Sequence, residues 1–586
     1  MFNNWSCGII GKIVVLAPDG ALKRARFHPP KNLQKRSGLL EEKRTEKPAV
    51  DKASPRRIAI YDTTLRDGAQ GEGISFSLQD KILLARRLDQ LGFDYIEGGY
   101  PASNDKDEHF FNELVEQPLA NAKLCAFGMT RRNGTDVEKD DGLAALLASG
   151  APVLTIVGKS SAFQVRDVLA TSLEENLAML EETIRFLIAH GRRVFFDAEH
   201  FFDGWKNDPG YSITAISTVI AAGAESITLC DTNGGSMPEE IAAGVEALTA
   251  AAAAAGKPNL PIGIHTHNDC GLAVANSLAA VEAGASIVQG TVNGFGERCG
   301  NANLVTIIAN LLLKKGGRFE VLQPGAAQHL TELSRFVDEL VNVKPSPRQP
   351  YVGRSAFTHK GGMHVSGIIR DSSAYEHIAP EAVGNTRRVL ISELSGRSNI
   401  AARTVKYNIG GDKNLLDKIL SAVVHKESRG YTFEAAEASF DLLVRRAMGT
   451  FHPHFQRLSY NTNAVSDSKG VLTTMATVKL KIGDLIRLEV AEGDGPVDAL
   501  DAALRRALDD VFPQLKTMTL VDYKVRVLNS EAATAARVRV IIESKDADEV
   551  WGTVGVDENV IEASWIALCD SIEYKLAKCQ ASPAQP

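Results

Sequence analysis

The sequence predicts an α/β protein: a (β/α)8 barrel, then a helical linker lobe, then an α+β C-terminal domain. Three observations lead there. Eight short apolar or β-branched segments recur between Arg57 and Gly317, each followed by a helical pattern, and about 260 residues is the size of such a barrel. Most of those segments end in polar residues, at the strand ends where a barrel carries its chemistry. From about Gly449 the pattern changes to alternating strands followed by a helix, and this unit occurs twice.

The chain has 586 residues, 44% apolar and 23% charged, enough for a large core and no wholesale disorder. Its net charge of -7 argues against nucleic acid as a partner. No apolar run reaches the ~18–20 residues of a membrane span. The seven cysteines are odd in number, scattered and without a C-x-x-C, which fits a reducing compartment and a cytoplasmic location.

Residues 1–56 form a basic extension, expected to be disordered. Met1 to Arg57 carries 13 Lys/Arg against 5 Asp/Glu, with Pro29-Pro30, Pro48 and Pro55. Glu41, Glu42 and Glu46 count against a transit peptide, and a start placed too far upstream is an equal reading.

The barrel is expected over 57–317. Its strands are Ile58–Tyr61, Tyr95–Glu97, Leu124–Met129, Val153–Val157, Val194–Phe196, Ser226–Leu229, Ile262–His267 and Ile287–Val292. Clear helices open at Ser77 and run to Leu91, then span Thr171–His190, Pro238–Ala254, Gly271–Ala283 and Asn301–Leu313. A doubly wound open sheet is the alternative, but no G-x-G-x-x-G or P-loop follows a strand. Residues 318–447 read as helical linker subdomains, and 448–580 as the C-terminal regulatory or dimerisation domain.

The strand ends carry the chemistry. The first runs into Asp62-Thr63-Thr64-Leu65-Arg66-Asp67-Gly68, the second ends at Glu97 and the fifth in Asp197-Ala198-Glu199-His200. The sixth ends in Asp231-Thr232-Asn233 and the eighth leads to Asn293–Asn301. Buried carboxylates and imidazoles are costly unless they bind something. His265 and His267, two apart on one strand, point to one face. With carboxylates at neighbouring strand ends, they suit an open-sided divalent ion rather than a closed structural zinc. Spacing alone leaves Asp62 and Asp67 both open as the carboxylate ligand.

Three motifs now stand together: Tyr61–Gln70, His265-x-His267-Asn268-Asp269 and Gly294-x-Gly296-Glu297-Arg298-x-Gly300-Asn301. Together they resemble the DRE-TIM metallolyases, and more narrowly the 2-isopropylmalate, homocitrate and citramalate synthases. Gln70–Ser77, Tyr95–Gly99 and Leu229–Gly235 look most like the citramalate synthase branch. The resemblance implies that Asp67, His265, His267 and Asn301 hold a divalent ion (Mg2+, Mn2+ or Zn2+). It implies that Arg66 binds the keto oxygen of a 2-keto acid, and that Thr232 and Glu199 lie against substrate. Glu297 and Arg298 are expected to pair in support of Asn301. Asp62 is read as a strand-end cap, and Cys270 and Cys299 as packing thiols.

The implied reaction condenses acetyl-CoA with pyruvate and water, giving (R)-citramalate and CoA for isoleucine synthesis. 2-Isopropylmalate or homocitrate synthesis on a larger keto acid is the alternative. A C–C lyase like 3-hydroxy-3-methylglutaryl-CoA lyase is the different class, disfavoured by the Gly-Glu-Arg-x-Gly-Asn loop and the long C-terminal region. The resemblance points to His364 as the base, with Glu199 assisting and Tyr375 in the same lobe. His359 competes and is otherwise a surface histidine. The linker lobe would bring the base to the barrel, often that of the neighbouring subunit, which implies a homodimer. The duplicated unit implies a branched-chain amino acid effector, isoleucine first. Its carboxylate would sit at the helix entries marked by Gly495, Pro496 and Asn559.

Overall fold

The computed structural model describes residues 13–16, 22–25, 54–392, 395–466, 468–470, 472–528 and 536–581. The expectation of a disordered extension falls largely outside them. Within that extension the described parts are an antiparallel pair, Ile13–Leu16 with Leu22–Ala25, and residues 54–56, of which Arg56 pairs with Phe319.

Eight parallel strands close into a barrel. They are β1 (Ala59–Asp62), β2 (Tyr95–Gly99), β3 (Lys123–Met129), β4 (Val153–Lys159), β5 (Arg193–Glu199), β6 (Ser226–Asp231), β7 (Ile262–Thr266) and β8 (Ile287–Gly290). Each pairs with the next, and β8 returns to β1 through Ile287↔Ala59 to Gly290↔Asp62. All eight segments read from the sequence are strands here.

Period-2 alternation divides the strand residues into two layers. Ile60, Leu124, Leu154 and Phe196 join the large core under the surrounding helices. Their neighbours Tyr61, Cys125, Val153 and Phe195 form a separate cluster with Ile287. That second cluster fills the barrel interior, so the polar strand ends rest on a packed base.

The helices are α1 (Leu78–Leu91), α2 (Asp105–Glu116), α3 (Asp141–Ala148), α4 (Leu173–Ala189), α5 (Phe201–Asn207), α6 (Pro209–Ala222), α7 (Pro238–Ala254), α8 (Ala273–Ala283) and α9 (Leu304–Lys314). α1 opens on a capping box between Ser77 and Asp80 and stops at Gly92, whose φ of +82 is left-handed. The barrel core continues past the expected boundary into α10 (Leu330–Leu340), through buried Leu330, Leu333 and Val337.

The linker lobe contributes α11 (Gly362–Arg370), α12 (Arg397–Arg403), α13 (Lys413–Ser428) and α14 (Glu437–Met448). The C-terminal domain is two copies of three antiparallel strands and a helix. The first is β9 (Gln456–Ser466), β10 (Leu472–Ile482), β11 (Leu485–Gly493) and α15 (Pro496–Leu508). The second is β12 (Thr519–Val527), β13 (Val538–Lys545), β14 (Val550–Asp557) and α16 (Val560–Ala581). β9 was not foreseen: it is rich in Asn, Gln and Ser and exposed along nearly its whole length, so it shows no apolar alternation. Among the described residues, no helix is long and apolar enough to cross a membrane.

Candidate active site

The polar ends of the barrel strands converge on a cavity of about 310 Å³. Its lining includes Arg66, Asp67, Glu199, Thr232, His265 and His267, six of the residues singled out from the sequence.

One corner gathers Asp67, His265 and His267, whose ligand atoms lie within 4.8 Å of one another. The three are 4%, 5% and 7% exposed, too buried for a solvated cluster. His265 Nε2 is 3.3 Å from Asp67 Oδ2 and 3.4 Å from His267 Nε2. Two imidazole nitrogens that close repel unless a cation or a proton lies between them.

The tautomer of His265 is fixed from behind. Gln289, on β8, donates through Nε2 to Asp197 Oδ1 at 2.9 Å and to Thr228 Oγ1 at 3.1 Å. Its Oε1 therefore faces His265, and His265 Nδ1–H donates to it at 2.9 Å. With Nδ1–H engaged by Gln289, Nε2 is the ring nitrogen that faces Asp67 in the corner.

Asn301 closes the corner by donating through Nδ2 to Asp67 Oδ1 and to Phe295 O, each at 3.1 Å. Its Oδ1, like His267 Nδ1, is buried without a hydrogen-bond partner. The donor set, two imidazoles, a carboxylate and a spare amide oxygen, fits a divalent cation. The loop reaches this point because residue 296 is glycine. Its φ is +154, and a Cβ there would lie 2.2 Å from Asn301 Nδ2.

Charge is arranged to keep the carboxylate ionised. Burial works to raise the Asp67 carboxyl, but the Arg66 guanidinium and the His265 imidazole outweigh it and hold it well below the usual range. Burial, then His265, lowers His267 to about 4, so its ring is neutral at physiological pH. Burial lifts Asp197 to about 6, with Glu97 adding to the rise.

Arg66 is held on three sides. Nε donates to Glu97 Oε2 at 2.7 Å, Nη1 lies 3.3 Å from Asp67 Oδ2, and the guanidinium stacks 3.9 Å over the Phe127 ring. Glu97 is fully buried and also accepts from Tyr61 Oη at 2.7 Å and Thr63 Oγ1 at 2.5 Å. Asp62 is the cap the sequence suggested: it accepts from Thr64 N at 3.0 Å and Thr64 Oγ1 at 2.7 Å. Glu199 pairs with Lys159, and Thr232 Oγ1 accepts the His200 amide at 2.9 Å.

Several expectations change. Arg298 takes Asp269 as its main partner, at 2.8 and 3.0 Å, and Glu297 stands off at 3.8 Å. Cys270 and Cys299 are exposed, so they are not packing thiols. His359 is buried, with Nε2 3.1 Å from Glu376 Oε1, so it is not a surface histidine. His364 and Tyr375 stack on each other, ring centroids 4.2 Å apart, but both are exposed and neither lines the barrel cavity of this chain.

At the proposed effector entries, Gly495 caps α15 without a side-chain bond and Pro496 takes the first helical position. Asn559 Oδ1 accepts the Ile561 amide at 2.8 Å, so the start of α16 is partly satisfied by its own side chain.

Gln289, Lys159 and Asp269 were missed. A glutamine directly after Ile287-Val288, inside the expected strand Ile287–Val292, was the available signal for the first. Asp269 stood in the quoted motif, but only the fold brings it to Arg298.

The fold and this corner define a barrel enzyme of the HMGL-like class, whose family model matches residues 57–337. A homocitrate synthase post-HMGL domain-like model matches 351–430, and a LeuA allosteric (dimerisation) domain matches 434–576. The (R)-citramalate synthase of Synechocystis sp. is 48% identical over 525 residues, 88% of this chain and 96% of that protein. That of Geobacter sulfurreducens is also 48% identical, over 89% and 98%. A 2-isopropylmalate synthase of Methanocaldococcus jannaschii is 31% identical over 92% and 98%. The chain belongs to the citramalate synthase family.

Proposed function

We propose that this chain condenses acetyl-CoA with pyruvate and water to give (R)-citramalate and CoA. The observation that carries the reading is 42–48% identity to five citramalate synthases over 88–90% of this chain. In Methanocaldococcus jannaschii the citramalate synthase, at 32%, and the 2-isopropylmalate synthase, at 31%, stand equally far. The cavity supports it. Tyr100, Phe127, Met129 and Val157 narrow its wall, which suits a keto acid whose side chain is only a methyl group.

Asp67, His265 and His267, with Asn301, would hold a divalent cation, which supplies Lewis-acid polarisation of the keto carbonyl. Arg66, fixed by Glu97 and Phe127, presents its remaining N–H groups where negative charge develops on the keto oxygen. Thr232 and Glu199 orient the keto acid against the wall. A base takes a proton from the acetyl methyl of acetyl-CoA, the resulting carbanion attacks the keto carbon, and water cleaves the thioester to release CoA. His364 is the base in this reading, with Tyr375 stacked beside it. Their exposure, away from this chain's own cavity, supports delivery to the barrel of a second copy in a homodimer. The C-terminal domain would bind isoleucine near Gly495, Pro496 and Asn559 and restrain the linker lobe.

The test is CoA release measured across keto acids. Pyruvate should give the highest kcat/KM. A higher value for 2-ketoisovalerate would return the chain to 2-isopropylmalate synthesis.

A further inference from the structure

A second cavity, of about 350 Å³, lies where the linker lobe meets the C-terminal domain. Three helices and a short loop enclose it. α13 presents Lys418, Ala422, His425 and Lys426 at i, i+4, i+7 and i+8, a single helical face. α14 presents Ser439, Leu443 and Arg446 in the same rhythm, and α16 closes the far side with Asp570. Between α13 and α14, Tyr431 and Phe433 form an aromatic wall, rings 22° from parallel with centroids 6.4 Å apart.

The charges do not balance. Asp570 accepts from Ser439 Oγ at 2.8 Å and from Arg446 Nη2 at 2.9 Å, so both its oxygens are engaged. Lys418 donates only to the Ala447 carbonyl, at 2.8 Å. The Lys426 ammonium lies 4.3 Å from the Tyr431 ring centroid. Among the described residues, neither lysine has a carboxylate within ion-pair distance. Lys426 is half-buried, and burial lowers its pKa. Asp570 works against that fall, and Arg446 and Arg429 add to it. A partly desolvated ammonium near two guanidinium groups, with the one carboxylate already engaged, is an arrangement that an anion would relieve.

The same geometry selects the anion. A free amino acid would bring its own ammonium into a ring of cations, and the single carboxylate there is already used. A phosphate carries two negative charges, accepts from several donors at once and is matched by lysine and arginine. The aromatic wall offers an apolar face to whatever the phosphate is attached to.

We propose that this cavity binds a small phosphorylated molecule with a planar or apolar body, its phosphate held by Lys418, Lys426 and Arg446 and its body against Tyr431 and Phe433. None of the site's lining residues lines the barrel cavity, and its Tyr431 wall packs against Val556, three residues before Asn559. Its walls belong to both the linker lobe and the C-terminal domain, so an occupant would stiffen the joint between them.

Adenosine 5′-monophosphate is the probe, titrated calorimetrically into the full-length protein. Coenzyme A is left out, because its own adenosine phosphates fit the proposed site; the Lys426→Gln variant, remote from the barrel cavity, separates this site from any site the substrate uses. Inorganic phosphate and isoleucine are parallel titrants. Adenosine monophosphate should bind in the millimolar range or tighter and more tightly than inorganic phosphate. Lys426→Gln, which keeps most of the stem, should weaken it about tenfold. Lys418→Gln is the second variant if the first does not fold. No heat with the nucleotide at 5 mM, equal binding by both variants and the wild type, or displacement of the nucleotide by isoleucine would each overturn the proposal.

Discussion

The barrel mouth and the His364–Tyr375 face of the linker lobe are built on opposite principles. At the barrel mouth each side chain is fixed by another: Asp67 by Arg66 and Asn301, His265 by Gln289, Gln289 by Asp197 and Thr228. At the linker face an imidazole and a phenol lean on each other in the open, with Met363 82% exposed beside them. A chelating site must be preorganised, because each ligand's freedom lost on binding weakens the ion. A base that meets its substrate only after a second surface arrives can stay exposed until then. On the proposed reading, the difference matches two halves of the reaction, a metal corner built within one chain and a base presented on an open face.

The largest effect should come from breaking the preorganised half. Chelator treatment, or Asp67→Asn, should cost turnover about 10³-fold or more, the scale of a lost Lewis acid. Full turnover in metal-free protein would remove the corner from the reaction. His364→Ala should cost roughly 10²–10⁴-fold in kcat while leaving metal content and keto-acid binding intact. A normal kcat would pass the role to Glu199.

Gln289→Leu sharpens the contrast, since it touches neither cation nor substrate. It frees His265 to take the wrong tautomer, and metal affinity should fall about 10–100-fold. Unchanged affinity would show that the glutamine only packs. The smallest effect belongs to control. Gly495→Glu places charge at the proposed effector carboxylate and should remove isoleucine inhibition, a coupling of about 1–3 kcal/mol, while sparing uninhibited turnover. If millimolar isoleucine, leucine and valine leave the wild type unaffected, the C-terminal domain only dimerises.

Much of the barrel was legible because its signals are local. Strand segments alternate with helical ones, caps such as Ser77 and Gly92 mark boundaries, and the H-x-H pair shows its shared face within one strand. What stayed hidden is what the closed sheet brings together. Nothing near Gln289 in sequence tells that it lies between His265 and Asp197, which are 24 and 92 positions away. Arg298 pairs with Asp269 across a loop, 29 residues back, rather than with its neighbour Glu297. His359 looked exposed because its partner, Glu376, comes 17 residues later. β9 escaped for a different reason: a strand whose residues are mostly exposed carries no apolar period to read.

The division of labour between barrel and linker is tested most directly by complementation. Asp67→Asn and His364→Ala chains, each nearly inactive alone, can be co-expressed under different affinity tags and purified as the mixed dimer. If the base is delivered across a two-fold interface, one of its two sites holds both an intact metal corner and an intact His364. The mixed dimer should then recover roughly half of wild-type activity. Activity no higher than that of either parent would mean that His364 serves its own chain's barrel or none, and the account of two separated halves would be wrong.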